Sequence, residues 1–203
     1  IEIARAIFYH QDPTMVFKQL VNDGEAVTKG QFAFEVEMGV HAILQTERLV
    51  LNTMQRMSGI ATLTKKYADK IASYKTKLLD TRKTTPLFRL FEKEAVLIGG
   101  GYNHRFGLYD MIMLKDNHID YCGSITKALS SAKAYVEAKK PGMKIEIETR
   151  NISDVKEVMD AGGADRIMLD NFTPAEIETA LKIINHRAET EASGGIQLDN
   201  IES

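Results

Sequence analysis

A single cysteine, Cys122, stands in a chain of 203 residues. It excludes an intrachain disulfide framework and fits a reducing cytosol, so a cytoplasmic location is expected. Its context, DYCGS, favours a half-buried thiol over a nucleophile. Long apolar runs are also absent, and none approaches the roughly 20 residues of a membrane helix. The opening IEIARAIFYH lacks the basic-then-apolar order of a signal peptide. Charge of one sign does not dominate: lysine plus arginine number 26 and aspartate plus glutamate 28, a formal net charge of −2. Bulk electrostatics therefore give no reason to expect nucleic acid or an anionic membrane as partner. Any cationic site must be a local concentration. Low-complexity segments and flexible interdomain linkers are missing as well.

The apolar fraction is 44% and the charged fraction 27%, ordinary for a globular protein. Its distribution is more informative. KLLDTRK (77–83), MIMLKDN (111–117), IEIET (145–149) and RIMLDN (166–171) are apolar runs that stop on polar or charged residues, and TEASGGI (190–196) stops on glycines. Four-residue runs such as MIML read as strands buried on both faces, with helical patterns between them. This predicts an α/β chain with a parallel βα array whose strand C-termini share one rim. That rim carries Arg82, Lys83 and Lys115 beside Glu148 and Asp170, a mixture suited to an anionic substrate and a metal.

The first part of the chain differs in style. A helix is expected over 1–8, then a break at Pro13, then an antiparallel meander with turns at Asp23-Gly24 and Lys29-Gly30 and alternation at Phe32, Phe34 and Val36. A helical stretch follows over 42–73, with Gly59 as a break. Thr85-Pro86 is expected to open a helix whose buried stripe is Leu87, Leu90, Phe91, Ala95 and Ile98, ended by Gly99, Gly100 and Gly101. Further helices are expected over 124–139, over 153–159 with a serine cap, and from Thr173-Pro174. Only five βα strands are visible where a closed barrel needs about eight. The chain also begins inside one helical pattern and stops as another starts, so it is expected to lack its ends.

Five constellations carry chemistry. In DTRKTT (80–85), two adjacent cations and three hydroxyls sit between a strand end and a helix start, a setting for an anion. In GGGYNHR (99–105), no strand leads into the glycines, so a dinucleotide fingerprint is a poor fit. One glycine would suffice for a helix cap, and His104-Arg105 adds two donors suited to a carboxylate. Lys115 ends a buried strand and suits either a Schiff base or a charged anion ligand, and the sequence leaves both open. In IEIET, Glu146 and Glu148 share one face while Ile145 and Ile147 share the other. Glu148 and Asp170, on neighbouring strands without a His/Cys cluster, suit Mg²⁺ held partly by substrate phosphate, against the alternative of structural ion pairs to Lys115. Ser193-Gly194-Gly195 is a short phosphate-sized loop at the last visible strand. Arg48, on the long helix, reads by itself as a surface arginine.

Together, ERLVLNTMQRMSGIAT (47–62), LLDTRKTTP (78–86), GGGYNHRFGLYDMIMLKDNHI (99–119), RIMLDNF (166–172) and ETEASGGI (189–196) resemble the quinolinate phosphoribosyltransferase family, the carboxylating nicotinate-nucleotide pyrophosphorylases. The resemblance runs nearly the whole length. It implies a partial N-terminal α/β sandwich over 1–56 and an incomplete parallel α/β barrel over 57–203. It implies transfer of phosphoribosyl from phosphoribosyl pyrophosphate to quinolinate with loss of CO₂, in a homodimer or larger homo-oligomer. Thr81, Arg82, His104, Arg105 and Lys115 would hold quinolinate, with Arg48 supplied by the partner subunit. Lys83, Glu148 and Asp170 would handle phosphoribosyl pyrophosphate and Mg²⁺, with Ser193, Gly194 and Gly195 around its phosphate. Catalytic roles would fall to Lys83, Lys115, Glu148 and Asp170. One departure stands out: the family usually has glycine after TRKTTP, where this chain has Leu87. The rival readings are a transferase acting on a related pyridine carboxylate and a Schiff-base aldolase using Lys115. A third is a carrier module, since DGEAVTKGQ is similar to the turn pattern of lipoyl-type domains.

Overall fold

Helix α1 (Glu2–Gln11) opens the computed structural model, which describes residues 1–202 and divides into two units, Ile1–His104 and the chain from Arg105 onward. In the first unit α1 buries Ala4 and Phe8 against Val50. Strands β1 (Val16–Gln19) and β2 (Phe34–Glu37) pair antiparallel, with Phe17 opposite Val36. Phe8, Phe17 and Phe34 form one aromatic group, with Phe17 and Phe34 stacked at 4.8 Å between centroids. The expected meander is thus a single strand pair. Gly24 and Gly30 do take positive φ, yet the segment between the strands adds none, and Phe32 is 76% exposed.

Helix α2 (Val40–Lys70) runs through Gly59 without the expected break. An interior glycine costs only about 1 kcal/mol relative to alanine. The stripe of Thr46, Val50, Thr53, Met57 and Thr64 buried along the same helix outweighs it.

Thr85-Pro86 does not start a helix. Phe88 N–H donates to Thr85 O at 3.0 Å, closing a turn in which Pro86 is second and Leu87, at φ 63°, is third. This is the type II pattern, whose third position favours glycine because a Cβ crowds the backbone there. Helix α3 (Arg89–Ile98) begins only afterwards. Its buried residues are Glu92, Lys93 and Ala95, while Leu87 and Leu90 are exposed. The two leucines of the expected stripe are therefore wrong, while Ala95 is buried and Phe91 and Ile98 are half-buried, because this helix also turns a charged face inward. At its end Gly101 N–H donates to Val96 O at 2.9 Å. A Cβ on Gly99 would meet Ala61 O at 2.5 Å, and one on Gly101 would meet Val96 Cγ1 at 2.7 Å. The glycine run caps α3 and also lets it close on α2, which explains more than one glycine.

The second unit holds β3 (Ile112–Leu114), α4 (Asp116–Cys122), α5 (Ile125–Lys139), β4 (Ile145–Thr149), α6 (Ile152–Ala161), β5 (Arg166–Asp170), α7 (Pro174–Ile184) and β6 (Glu189–Ser193). Its strands form one parallel sheet in the sequential order β3-β4-β5-β6, the order of an α/β barrel. The first run, KLLDTRK, contributes only an isolated parallel bridge between Leu79 and Tyr102 in the first unit. Ser124 caps α5, and Thr173 with Glu176 forms a capping box on α7, with Pro174 in its first turn. The cap of α6 is Asn151, whose side chain accepts from Asp154 N, rather than the expected Ser153. Ile145, Ile147, Ile167 and Leu169 pack with Ile119, Leu129, Val155, Val158, Ala180 and Ile184 from the helices. Each isoleucine, leucine and valine among them contributes roughly 1.5–3 kcal/mol of burial.

Because Leu87 holds a left-handed conformation and is fully exposed, replacing it by glycine removes backbone strain without losing packing. Leu87→Gly is expected to raise unfolding stability by roughly 0.5–1 kcal/mol after the entropy of the added glycine is counted. Chemical denaturation checks this, and a destabilised variant would show that the turn is not strained.

Candidate active site

In the first unit two extended segments run side by side: Tyr102 N–H donates to Leu78 O (2.8 Å) and Asp80 N–H to Tyr102 O (3.0 Å). The Asp80 carboxylate then accepts from Lys93 Nζ and from His104 N–H (2.9 Å), and Lys93 Nζ also donates to His104 O at 2.9 Å. With its amide nitrogen toward Asp80, Asn103 donates to Asp80 Oδ2 (2.5 Å) and to Lys93 O (3.0 Å). Lys93 and Asp80 side chains are only 2% and 6% exposed.

The loop after Asp80 is held from both ends. Lys83 N–H donates to Thr81 Oγ1 (3.0 Å), Arg89 Nε to Thr84 Oγ1 (3.2 Å) and Arg89 Nη2 to Arg82 O (3.2 Å). Arg56 bridges Thr85 Oγ1 (2.6 Å) and Glu92 Oε1 (2.7 Å), and Thr85 N–H donates to Glu92 Oε2 (3.3 Å). Within this frame Arg82 Nε is buried and has no hydrogen-bond partner among the described residues. A donor in that position suits an incoming anion. Lys83 and Thr81 are exposed. Arg48 is exposed on α2, two residues from both Thr46 and Val50 and so off the helix's buried stripe.

In the second unit register builds the rim. Glu148 lies opposite Met168, Met168 opposite Glu191, and Asp170 opposite Ser193. Leu114 pairs with Ile147, so Lys115 continues β3 level with Glu148. Strand alternation therefore puts Lys115, Glu148, Asp170 and Ser193 on one face at the strand C-termini, with the isoleucines on the other. Lys115 Nζ donates to Glu148 Oε2 at 2.8 Å. Asp170 Oδ2 accepts from Asn171 Nδ2 (2.8 Å), and Asn171 N–H donates to Ser193 O (2.7 Å). Gly194, at φ 89°, leaves no room for a Cβ against the Asn171 carboxamide, so the SGG turn and Asn171 fix each other. Arg105 Nη1 donates to Met111 O (3.2 Å) and Nη2 to Met113 Sδ (3.2 Å), beside the first strand.

Deeper on the same face, Arg166 donates to Glu189 (2.7 Å) and Glu191 (3.2 Å). Burial pulls the Arg166 guanidinium down, but the Glu189 hydrogen bond and the charges of Glu146, Glu191 and Glu189 hold it above its usual value. Glu189 in turn lies below the carboxylate range through hydrogen bonds from Arg166 and Lys144. Cys122 is half-buried and lines a mainly apolar cavity of about 590 Å³ with Tyr109, Tyr121 and Tyr135. This is the bland setting that its sequence context suggests.

Lys115 therefore meets a carboxylate, not the apolar pocket or neighbouring cation that activates a Schiff-base lysine. Glu148 and Asp170 are oxygen donors on adjacent strands, a donor set that fits a hard cation such as Mg²⁺. Asp80, Lys93, Asn103 and Asn171 are absent from the sequence-derived site. Asp80 sits in a recognised motif. Lys93, inside LFEKEAV, carries no signal that it faces inward.

A model of the quinolinate phosphoribosyl transferase C-terminal domain matches residues 60–203, and one of its N-terminal domain matches residues 1–58. The chain belongs to the quinolinate phosphoribosyl transferase family. Quinolinate phosphoribosyltransferase [decarboxylating] 1b of Nicotiana tabacum is 46% identical over 99% of this chain and 61% of its own length. The probable carboxylating nicotinate-nucleotide pyrophosphorylase of Bacillus subtilis is 45% identical over 88% of this chain and 61% of its own. The chain thus spans about 61% of these family members. The crystal structure of NadC from Streptococcus pyogenes superposes with a TM-score of 0.90 at 41% identity, covering 99% of this chain and 70% of that one. The nicotinate-nucleotide pyrophosphorylase structure from Francisella tularensis gives 0.89 at 39% identity, over 98% and 70%.

Burial pushes the Glu92 carboxyl up, but hydrogen bonds from Arg56 and Thr85 and the Arg56 charge reverse this and hold it below its ordinary range. A depressed carboxyl stabilises the fold fully above its unfolded value and loses that contribution as pH falls through the folded value. Glu92→Gln is expected to lower stability by about 1 kcal/mol near neutrality. The gap to the parent chain should begin to narrow below about pH 4.3, the unfolded carboxyl's value, and vanish only below the depressed folded value. Denaturation at several pH values tests this, and a gap constant with pH would remove Glu92 from the acid response.

Proposed function

We propose that the intact protein transfers phosphoribosyl from phosphoribosyl pyrophosphate to quinolinate and releases pyrophosphate, CO₂ and nicotinate mononucleotide. The observation that carries this reading is the Lys115–Glu148 pair at the C-terminal ends of a parallel sheet, beside Asp170 and Ser193. It joins a cation for a carboxylate to oxygen donors for a metal–pyrophosphate, and it lies in motifs shared with the family. Arg82, His104, Arg105 and Lys115, with Thr81, are assigned to the two carboxylates of quinolinate. The buried Nε of Arg82 supports its place in that set. Arg48, exposed on α2, is assigned to the site of a partner subunit in a homodimer or larger homo-oligomer.

Lys83, Glu148 and Asp170 are assigned to phosphoribosyl pyrophosphate, and Ser193, Gly194 and Gly195 to its phosphate. Glu148 and Asp170 would hold Mg²⁺, directly or through substrate phosphate; when bound, Mg²⁺ supplies neutralisation of charge on departing pyrophosphate. Lys83 stabilises the same charge from the protein side. The cations orient the dicarboxylate so that its ring nitrogen faces the ribose C1, a positioning contribution. As the C1–O bond breaks, a carboxylate of Glu148 or Asp170 stabilises positive character on the ribose. The new N–C1 bond leaves the ring nitrogen positive. That charge stabilises the carbanion left on the adjacent ring carbon when its carboxylate departs as CO₂, and a proton then takes up the electron pair on that carbon.

Among the described residues no helix is long and apolar enough to cross a membrane. A cytoplasmic location is part of the proposal, although relatives in Arabidopsis thaliana and Nicotiana tabacum are designated chloroplastic and mitochondrial. Purified intact protein with quinolinate, phosphoribosyl pyrophosphate and Mg²⁺ is expected to yield nicotinate mononucleotide and one CO₂ per turnover. Product from nicotinate but not quinolinate would favour the related pyridine-carboxylate transferase, and no product from either would overturn the reading.

A further inference from the structure

His104 is held in an uncommon way. Its N–H donates to Asp80 Oδ1 at 2.9 Å and its carbonyl accepts from Lys93 Nζ at 2.9 Å. These two groups flank the same Cα, so both of its backbone torsions are fixed by one ion pair. Asn103, immediately before it, donates its side-chain amide to the other Asp80 oxygen at 2.5 Å. The pair is nearly sealed from water, with Lys93 2% and Asp80 6% exposed.

A buried ion pair is a poor device for stability, since desolvation offsets most of its attraction and apolar replacements are often neutral. Lys93 also sits on an inward face of α3 where a leucine would fill space with less penalty. What the charges provide is directional: two donors and two acceptors that only one placement of residues 103–104 satisfies.

The geometry points to Asp80, Lys93 and Asn103 as positioning residues that set the His104 backbone, and hence its imidazole, for the quinolinate carboxylate assigned to it. This rests on the function proposed above. Asp80 also leads directly into Thr81-Arg82, so the same pair anchors the base of the loop bearing the other cations. None of the three is asked to touch substrate.

The test uses steady-state kinetics of the intact enzyme with both substrates. Lys93→Met is expected to raise the quinolinate KM roughly 10- to 100-fold through displacement of His104. The KM for phosphoribosyl pyrophosphate should stay within about twofold. The apolar pair Asp80→Leu with Lys93→Met is expected to recover thermal stability but not the quinolinate KM. Recovery of both, or equal rises in both KM values, overturns the proposal. If Lys93→Met does not fold, Asn103→Ala decides: this exposed residue keeps the ion pair intact, and its loss should raise the quinolinate KM alone by roughly threefold. An unchanged value overturns the proposal. Parent enzyme that forms no product from quinolinate overturns the functional reading instead, so the two failures are separable.

Discussion

Parallel pairing of β3 to β6 in strict alternation is the constraint on which the second unit depends. One face of the sheet takes Ile145, Ile147, Ile167 and Leu169 into the core with α4 to α7. The opposite face must then receive Glu146, Glu148, Arg166, Asp170, Glu189 and Glu191, whatever the solvation penalty. A one-residue slip would exchange the two sets and bury the carboxylates among isoleucines. The apolar core thus fixes the register, and the register delivers Lys115, Glu148, Asp170 and Ser193 to the same end of the same face. Chemistry at that end is a consequence of packing at the other face.

The first unit solves a related problem with charge. Its α3 turns Glu92 and Lys93 inward, one toward Arg56 and Thr85, the other toward Asp80 and His104. Both ends of the DTRKTTP loop are thereby tied to the same helix. Arg89 ties the middle through Thr84 and the Arg82 carbonyl. A loop dense in cations gains little from apolar contacts, so its shape is held by directional bonds. The glycines at 99 and 101 let α3 approach α2 closely enough for this arrangement to close.

Much of this was legible in the sequence because it is periodic. Alternation in IEIET gave strand and face, the polar or charged ends of IEIET and RIMLD marked the C-terminal rim, and Thr173-Pro174 gave a helix start with its cap. What was not legible depended on partners distant in sequence. Thr85-Pro86 carries the same dipeptide as Thr173-Pro174, but with Leu87 and Phe88 following it closes a turn, while Ala175 and Glu176 complete a capping box. Local chemistry alone does not separate the two. Lys93 carries no inward signal in its own neighbourhood, because its acceptors, Asp80 and the His104 carbonyl, lie 13 and 11 residues away. Gly59 looked like a break because the burial that carries α2 through it is spread over the helix's whole length. Of the site residues implied by the family, Glu148, Asp170, Lys115 and Ser193 stand where alternation puts them. Arg48 owes its assignment to the resemblance alone.

The proposed function requires that the assigned cations be matched to a dicarboxylate. Equilibrium binding of quinolinate and of nicotinate to the intact protein tests it most directly, because the two ligands share a ring and differ by one carboxylate. A carboxylate held by charged hydrogen bonds is worth enough that quinolinate should bind roughly 10- to 100-fold more tightly. Equal affinity for the two, or tighter binding of nicotinate, would contradict the account.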